Sequence, residues 1–175
     1  MRRSRVWVMA MGGGDGGMAI PGSGAPLHSP QNGTIAAHEV TIRMQIATST
    51  GDIARSDADV IVVNLFEGVT TPGGATGAVD AALNGAIRRL IELGDVRGKA
   101  GELTLIHTHG QLPAPRVLIA GLGKQADFDL DAVRNLSANI VRFLRRPGIG
   151  RVATIVHGAG IGGLAPEGAA QAVAE

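Results

Sequence analysis

Two glycine-containing segments each follow an apolar run typical of a strand and precede a run typical of a helix. The first, "NLFEGVTTPGGATG", spans residues 64–77, and the second, "HGAGIGGLAP", spans residues 157–166. Ligands bind to open α/β sheets at loops of this kind, beyond the carboxyl ends of the strands, and N–H groups at a helix N-terminus attract anions. The pattern is therefore compatible with a phosphate site. Glycines in these positions also allow a tight turn without any ligand.

Histidines offer a second kind of chemistry. His107 and His109 form an H-x-H pair, which on a strand would place both imidazoles on one face. A zinc site needs at least one further donor, and the nearby candidates, His157 and Glu102, do not obviously converge on the pair. We therefore expect no metal site in this chain.

Acidic residues and nucleophile motifs give no catalytic centre either. The segment "DIARSDAD", with Asp52, Asp57 and Asp59, is better explained by a turn with capping side chains than by a cation site. Asp80 falls on the predicted solvent stripe of a helix, so we expect it at the surface. The sequence contains neither a G-x-S-x-G elbow nor a Walker motif, which argues against a serine hydrolase and a P-loop enzyme.

Composition excludes several classes of function. The 175 residues suffice for one domain, and the net charge of +1 gives no basic stripe for nucleic acid. The chain has no cysteine, which excludes disulfides and thiolate zinc sites, and with no tyrosine and a single tryptophan it has almost no material for an aromatic base-stacking surface. No apolar run approaches the ~20 residues of a membrane helix. These features predict a cytoplasmic protein without a nucleic-acid or membrane partner.

The pattern of residues divides the chain at about residue 39. Residues 1–39 are rich in Gly, Pro and Ser without helical or strand periodicity, which predicts a disordered or non-native extension. Residues 40–175 alternate strands with helices. Strands are predicted at residues 39–48, 58–66, 102–108, 116–123 and 151–158. The run at 58–66 is continuously apolar, as in a central strand covered on both faces.

Three helices complete the pattern. They are predicted at Ala75–Leu93, at Asp129–Arg146, and from Pro166 to the last residue. Helices that follow strands cover both faces of a sheet. The predicted fold class is therefore α/β, a three-layer sandwich with a mixed, mostly parallel sheet and helices on both faces.

The order of several motifs resembles the N-terminal domain of the leucyl (cytosol) aminopeptidase family. The motifs that carry the resemblance are "GDIARSDADVIVVN", "TPGGATGAVDAALNGAIRRLIELG", "GKAGE" at residues 98–102, "RVLIAGLGK" at residues 116–124, "DFDLDAVRNLSANIVRFL" and "GIGGLAPEGAAQAVAE". The resemblance implies a macro-domain-like fold that packs on a catalytic domain holding two divalent metal ions, Zn or Mn. It also implies assembly into hexamers.

The catalytic part of that family has no counterpart in this sequence, because no segment of the "NTDAEGR" type is present. The resemblance therefore supplies no catalytic and no metal-binding residue. We expect a non-catalytic domain, truncated before the catalytic domain, whose role is packing and assembly.

Some of the same residues resemble macro domains that bind ADP-ribose. The resemblance implies that Asp52 in "GDI" holds the adenine and that Asn64 ends the central strand near the ligand. It also implies that the two loops hold the phosphates, through Gly73, Gly74, Gly160, Ile161 and Gly162. The chain departs from that family at Glu67, where a second asparagine is usual, and at Ala75, where a third glycine is usual. A carboxylate near a pyrophosphate is electrostatically unfavourable. Despite these departures, the alternative expectation is a free-standing module that binds ADP-ribose or a related nucleotide.

Overall fold

The computed structural model describes residues 4–11, 44–157 and 165–174. The strands are β1 (Ser4–Met11), β2 (Met44–Gly51), β3 (Val60–Phe66), β4 (Leu103–His107), β5 (Arg116–Gly123) and β6 (Arg151–Ile155). The helices are α1 (Gly74–Ala82), α2 (Ala86–Leu93), α3 (Leu130–Leu144) and α4 (Pro166–Ala174), with short 3₁₀ turns at Ile53–Arg55 and Gln125–Asp127. Within these ranges no helix is long and apolar enough to cross a bilayer.

All six described strands form one sheet in the order β2-β1-β6-β3-β5-β4. Strand β3 pairs in parallel with both β5 and β6, whereas the β1–β2, β1–β6 and β4–β5 pairs are antiparallel. The sheet is mixed, as predicted, but parallel pairing is confined to the three strands β6, β3 and β5 and does not predominate. A short connection, residues 108–115, joins β4 to β5. An antiparallel pair can form with such a connection because it needs no crossover helix.

Strand β1 corrects the prediction for the first 39 residues. Residues 4–11 pair with β2 along their whole length and with β6 over Val6–Ala10, so this part of the extension belongs to the sheet. Its sequence, "SRVWVMAM", contains the β-branched and aromatic residues that favour strands. The surrounding glycines and prolines obscured that short run. The rest of the predicted extension lies outside the described residues.

Strand β3 divides the core into two layers. Ile61, Val63 and Leu65 face α1 and α2, whereas Val60 and Val62 face α3 and α4. All five side chains are buried, as the continuous apolar run predicts for a central strand. Helices thus cover both faces of the sheet, which confirms the three-layer α/β arrangement.

The predicted helix at residues 75–93 is broken into α1 and α2. The break lies at Asn84 and Gly85, both of which have a left-handed backbone with φ of 53° and 81°. Leu83 and Ile87 still reach the core because the turn re-aims α2 toward the sheet. An asparagine followed by a glycine is a turn signal, and the continuous apolar period masked it.

The break also corrects the prediction for Asp80, which is 1% exposed rather than at the surface. Its carboxylate accepts hydrogen bonds from the backbone N–H of Arg88, at 3.0 Å, and from the Arg88 guanidinium, at 3.3 Å. Arg88 is the third residue of α2, whose N-cap, Gly85, has no side chain to cap with. Asp80 therefore caps the helix that follows its own.

Helix α3 confirms its prediction closely. Asp129 is the N-cap and accepts a hydrogen bond from the Ala132 N–H at 2.8 Å. Val133, Leu136, Ile140 and Leu144 are buried on one side of the helix. This packs α3 on the face of the sheet opposite α1.

The motifs "GKAGE" and "IAGLG" cross each other in backbone-to-backbone contact. A Cβ atom on Gly121 would lie 2.1 Å from the carbonyl oxygen of Lys99, and one on Gly98 would lie 2.5 Å from that of Phe66. The N–H of Gly123 donates to Gly98 O at 2.8 Å, and that of Gly121 donates to Glu102 O at 2.8 Å. These glycines permit a close approach that no other residue allows.

The carboxylate of Glu102 completes this crossing. Its Oε2 accepts hydrogen bonds from the N–H groups of Arg97, at 2.9 Å, and Lys99, at 3.2 Å. These two hydrogen bonds hold the loop that contains "GKAGE" in place across the end of β5.

Candidate functional site

The predicted ligand-binding residues that the structure describes lie along one edge of the sheet. Strands β2 and β6 are both antiparallel to β1, and β3 and β5 run parallel to β6, so the carboxyl ends of all four lie at the same edge. Asp52 follows β2, Asn64 lies near the end of β3, Gly73 is the N-cap of α1 and Gly74 is its first residue. The remaining predicted residues, Gly160, Ile161 and Gly162, lie outside the described residues.

Asn64 begins a chain of hydrogen bonds that leads into the interior of the domain. Its Nδ2 lies 3.3 Å from Nδ1 of His157, whose Nε2 lies 3.2 Å from Oγ1 of Thr154. The Thr154 hydroxyl donates its hydrogen to the carbonyl oxygen of Ile155 at 3.1 Å. Oγ1 therefore accepts from the imidazole, which places the proton on Nε2 and makes Nδ1 the acceptor for the Asn64 amide. This leaves Asn64 Oδ1 as a free acceptor as far as the described residues go.

The imidazole of His157 is neutral at ordinary pH. Its side chain is 1% exposed, and burial lowers its pKa from 6.5 to about 4. A neutral ring with fixed hydrogen bonds at both nitrogens holds the Asn64 carboxamide in one orientation. Sequence reasoning considered His157 only as a metal donor, because no local pattern links it to Asn64.

The start of α1 is tied to the same strand end. The hydroxyl of Thr76, which is 4% exposed, donates to the carbonyl oxygen of Asn64 at 2.7 Å. Gly74 has a φ of +56°, and the N-cap, Gly73, offers no side-chain cap. Both glycines are exposed, so the first N–H groups of α1 face the same edge as Asn64.

Asp52 has a structural role at that edge. Its Oδ1 accepts from the N–H of Ala54 at 3.0 Å, which caps the 3₁₀ turn, and its Oδ2 lies 4.0 Å from Nε of Arg55. Three strand spacings separate β2 from β3, which amounts to about 14 Å. The turn that Asp52 caps nevertheless packs against α1 and β6, and β6 is the neighbour of β3 in the sheet.

The other acidic residues of the "DIARSDAD" segment are also engaged. Asp59 Oδ2 accepts from the N–H groups of Gly150, at 2.7 Å, and Arg151, at 2.8 Å. Asp57 forms an exposed ion pair with Arg151, which holds the pKa of the Asp57 carboxyl below its ordinary value. These caps and pairs agree with the predicted turn.

No metal site is found in the part of the chain that the structure describes. No three His, Cys, Asp or Glu side chains there are grouped closely enough to hold an ion. His107 and His109 come near each other, with ring centroids 6.4 Å apart, but no third donor joins them. The described residues therefore do not fit the pair of divalent ions that the family resemblance implies for a catalytic domain.

A cavity of about 330 Å³ lies between the end of β5 and α3. Leu122, Phe128 and Leu136 give it an apolar lining, and Asn135 and Asn139 add polar groups. None of the predicted site residues lines it. The concave space and the predicted ligand edge are thus separate features.

Comparison with solved structures identifies the fold. The chain superposes on the macrodomain of Mycobacterium tuberculosis DarG with a TM-score of 0.55 and 19% identity, over 72% of this chain and 85% of that one. It superposes on an Oceanobacillus iheyensis macrodomain with ADP with a TM-score of 0.54 and 20% identity, over 78% and 76% of the two chains. At these identities the likeness shows a macrodomain fold, as predicted.

Comparison of sequences identifies relatives. A probable cytosol aminopeptidase of Ralstonia pickettii is 42% identical over 90 residues, which are 49% of this chain and 18% of the relative. One from Alkaliphilus oremlandii is 33% identical over 99 residues, which are 57% of this chain and 20% of the relative. The chain thus spans about a fifth of the length of these curated relatives. Because residues 62–175 match the cytosol aminopeptidase family, N-terminal domain, over well more than half of the chain, this protein belongs to that family.

Proposed function

We propose that the chain is the non-catalytic N-terminal domain of a leucyl-aminopeptidase-type metallopeptidase. Its role is to pack on a catalytic domain and to support assembly into a homo-oligomer, a hexamer by family resemblance. The activity of the parent enzyme is the metal-dependent release of N-terminal amino acids from peptides. Two divalent ions, Zn or Mn, would be held by that catalytic domain and not by the residues described above.

The observation that carries this proposal is that two of the family motifs have a structural role, in the packing of the backbone. "GKAGE" and "IAGLG" match the family, yet their glycines and Glu102 serve the backbone crossing over β5 rather than a reactive centre. Motifs that specify packing are what a supporting domain requires. The partial coverage of the relatives, about a fifth of their length, agrees with this role.

Two measurements test the proposal. The purified chain, incubated with Zn²⁺ or Mn²⁺, is expected to release no p-nitroaniline from Leu-p-nitroanilide; release at the rate of an aminopeptidase would contradict the non-catalytic role. An antibody against the domain is expected to detect a native protein several times larger than 17.8 kDa in the source cells. A native protein of the chain's own size would contradict the role as part of a longer peptidase.

A second candidate function is the binding of ADP-ribose or a related nucleotide. It is favoured by the oriented carboxamide of Asn64 beside the open start of α1, with Gly73 and Gly74. The O. iheyensis macrodomain with ADP has the same fold. Opposing it are the exposed carboxylate of Glu67, Ala75 in place of a glycine, and Asp52, whose carboxylate already caps a turn.

Calorimetry with millimolar ADP-ribose separates the two candidates. A supporting domain is expected to give no heat of binding. Heat that is lost in Asn64→Ala but kept in Asn84→Ala, an exposed asparagine at the helix break, would establish the nucleotide site. Unchanged heat in both variants would exclude Asn64 from the binding site, and no heat with the wild-type chain would remove the second candidate.

A further inference from the structure

Strand β4 is an edge strand of the described sheet, because it pairs with β5 on one side and with no described strand on the other. Exposed strand edges carry unpaired N–H and C=O groups that template pairing with another chain, and natural proteins usually protect them with charges, prolines or bulges. The β4 sequence, Leu103–His107, is "LTLIH", without Lys, Arg, Asp, Glu or Pro, and its register with β5 is unbroken. The common protective features are therefore absent from this strand.

The direction of the backbone groups follows from the bonds at both ends of β4. Gly121 N–H donates to Glu102 O, and Thr108 N–H donates to Pro115 O. In an antiparallel pair the groups of alternate residues point to the same side. The backbone N–H and C=O groups of the even-numbered residues of β4 therefore form hydrogen bonds with β5. The N–H and C=O groups of Leu103, Leu105 and His107 point away from the sheet.

This set of outward groups is symmetric about Leu105. A second copy of β4, antiparallel to the first and related by a two-fold axis at Leu105, would pair Leu105 with itself and Leu103 with His107. About six hydrogen bonds would form without any shift of register. A closed two-fold contact of this kind is the commonest form of homo-oligomer.

Side chains and charges favour the same arrangement. Leu103 and Leu105 are only partly buried against the α3 layer, so the second copy would cover their remaining apolar surface. Antiparallel pairing brings the Glu102 end of one strand to the end of the other that carries His107 and His109. Parallel pairing would bring the two acidic ends together, which is less favourable.

We propose that β4 is a self-association edge, through which two copies of this chain join their sheets by an antiparallel β4–β4 pair centred on Leu105. The occupant is a second copy because the outward groups are complementary to themselves. The contact lies at the opposite end of the sheet from β2, and it involves none of the candidate ligand residues.

A charge-swap experiment at the two-fold axis tests the proposal. Sedimentation of the wild-type chain from micromolar to millimolar concentration is expected to show a monomer–dimer equilibrium. In Leu105→Lys and in Leu105→Glu the two axial side chains carry like charges directly opposite each other, so self-association is expected to weaken roughly tenfold or more. An equimolar mixture of the two variants is expected to form heterodimers and to recover the dimer.

The mixture separates a specific contact from damage to the fold, because a misfolded variant would not regain association. Leu105→Val, which keeps the N–H and an apolar side chain, is the matched control and is expected to dimerise like the wild type. A wild-type chain that stays monomeric throughout, or a dimer that persists in both charged variants, would overturn the proposal. Failure of the mixture to associate, when both variants keep the circular dichroism spectrum and unfolding transition of the wild type, would overturn it as well.

Discussion

The amide nitrogen of Asn64 lies 3.3 Å from Nδ1 of His157, across 93 residues of sequence. The contact joins the ends of two neighbouring parallel strands, β3 and β6, and it depends on an unprotonated ring. A proton on Nδ1 would replace the acceptor with a donor that faces the Asn64 amide. It would also place a charge at a site that is 1% exposed.

The stability of the domain is therefore expected to depend on pH through His157. Its pKa is about 4 in the folded chain because of burial and 6.5 in its ordinary state, so between these values the unfolded chain binds more protons. The free energy of unfolding should then fall as the pH falls through this window, by up to about 3 kcal/mol, and level off below it. Urea unfolding at a series of pH values measures this slope.

His157→Gln supplies the control, because an amide can keep both hydrogen bonds without titrating. The variant is expected to lack the slope between pH 6.5 and about 4, whereas His107→Gln, at an exposed position, should keep it. An equal slope in the wild type and His157→Gln would show that the ring does not titrate as described.

Substitution of Gly121 is expected to destabilise the domain strongly. A Cβ atom there would lie 2.1 Å from Lys99 O, a rigid backbone atom, so either the loop or β5 must move. Overpacking of this kind costs about 3 kcal/mol or more. Thermal unfolding of Gly121→Ala should show it. Gly51→Ala is the control, since a Cβ atom at Gly51 meets nothing within 4 Å; similar losses in the two variants would contradict the crossing.

Removal of the Asp80 carboxylate is expected to destabilise α2. Asp80→Ala takes away the acceptor of the Arg88 N–H and the buried partner of a half-exposed guanidinium, at a cost of about 1–3 kcal/mol. Asp131→Ala removes an exposed pair with Arg134 and should cost about 0.5 kcal/mol or less. Urea midpoints compare them, and equal costs would mean that Asp80 does not cap α2.

Asp59 is expected to matter more than its neighbour Asp57. Asp59→Ala leaves the N–H groups of Gly150 and Arg151 without their acceptor where β6 begins, which should cost about 1–3 kcal/mol. Asp57→Ala removes an exposed ion pair and is expected to leave the unfolding midpoint almost unchanged. A larger loss in Asp57→Ala would reverse this assignment.

The sequence predicted the parts of the fold that depend on local pattern. The apolar run of β3, the helix predicted to begin near Asp129 and the strand Arg116–Gly123 agree with the structure because each signal lies within a few neighbouring residues. The helix break at Asn84 and Gly85 escaped prediction because the apolar period continues through it. The buried position of Asp80 escaped with it.

The candidate site was predictable only in outline. Asn64, Gly73 and Gly74 are near the carboxyl end of a central strand, which a strand–loop–helix pattern can predict. The roles of His157 and Thr154 depend on which strand lies beside β3, and that order of strands is set by tertiary pairing. Strand β1 was missed for a related reason, because its partners lie far away in the sequence.

The glycine crossing of Gly98 and Gly121 has an evolutionary consequence. Any lineage that keeps this backbone crossing must keep these glycines, whether or not its loops still hold a ligand, because a larger residue would collide with a carbonyl oxygen. The motifs by which such a chain is recognised are thus inherited with the architecture and not with the activity. A descendant could exchange one partner or ligand for another and remain recognisable as kin.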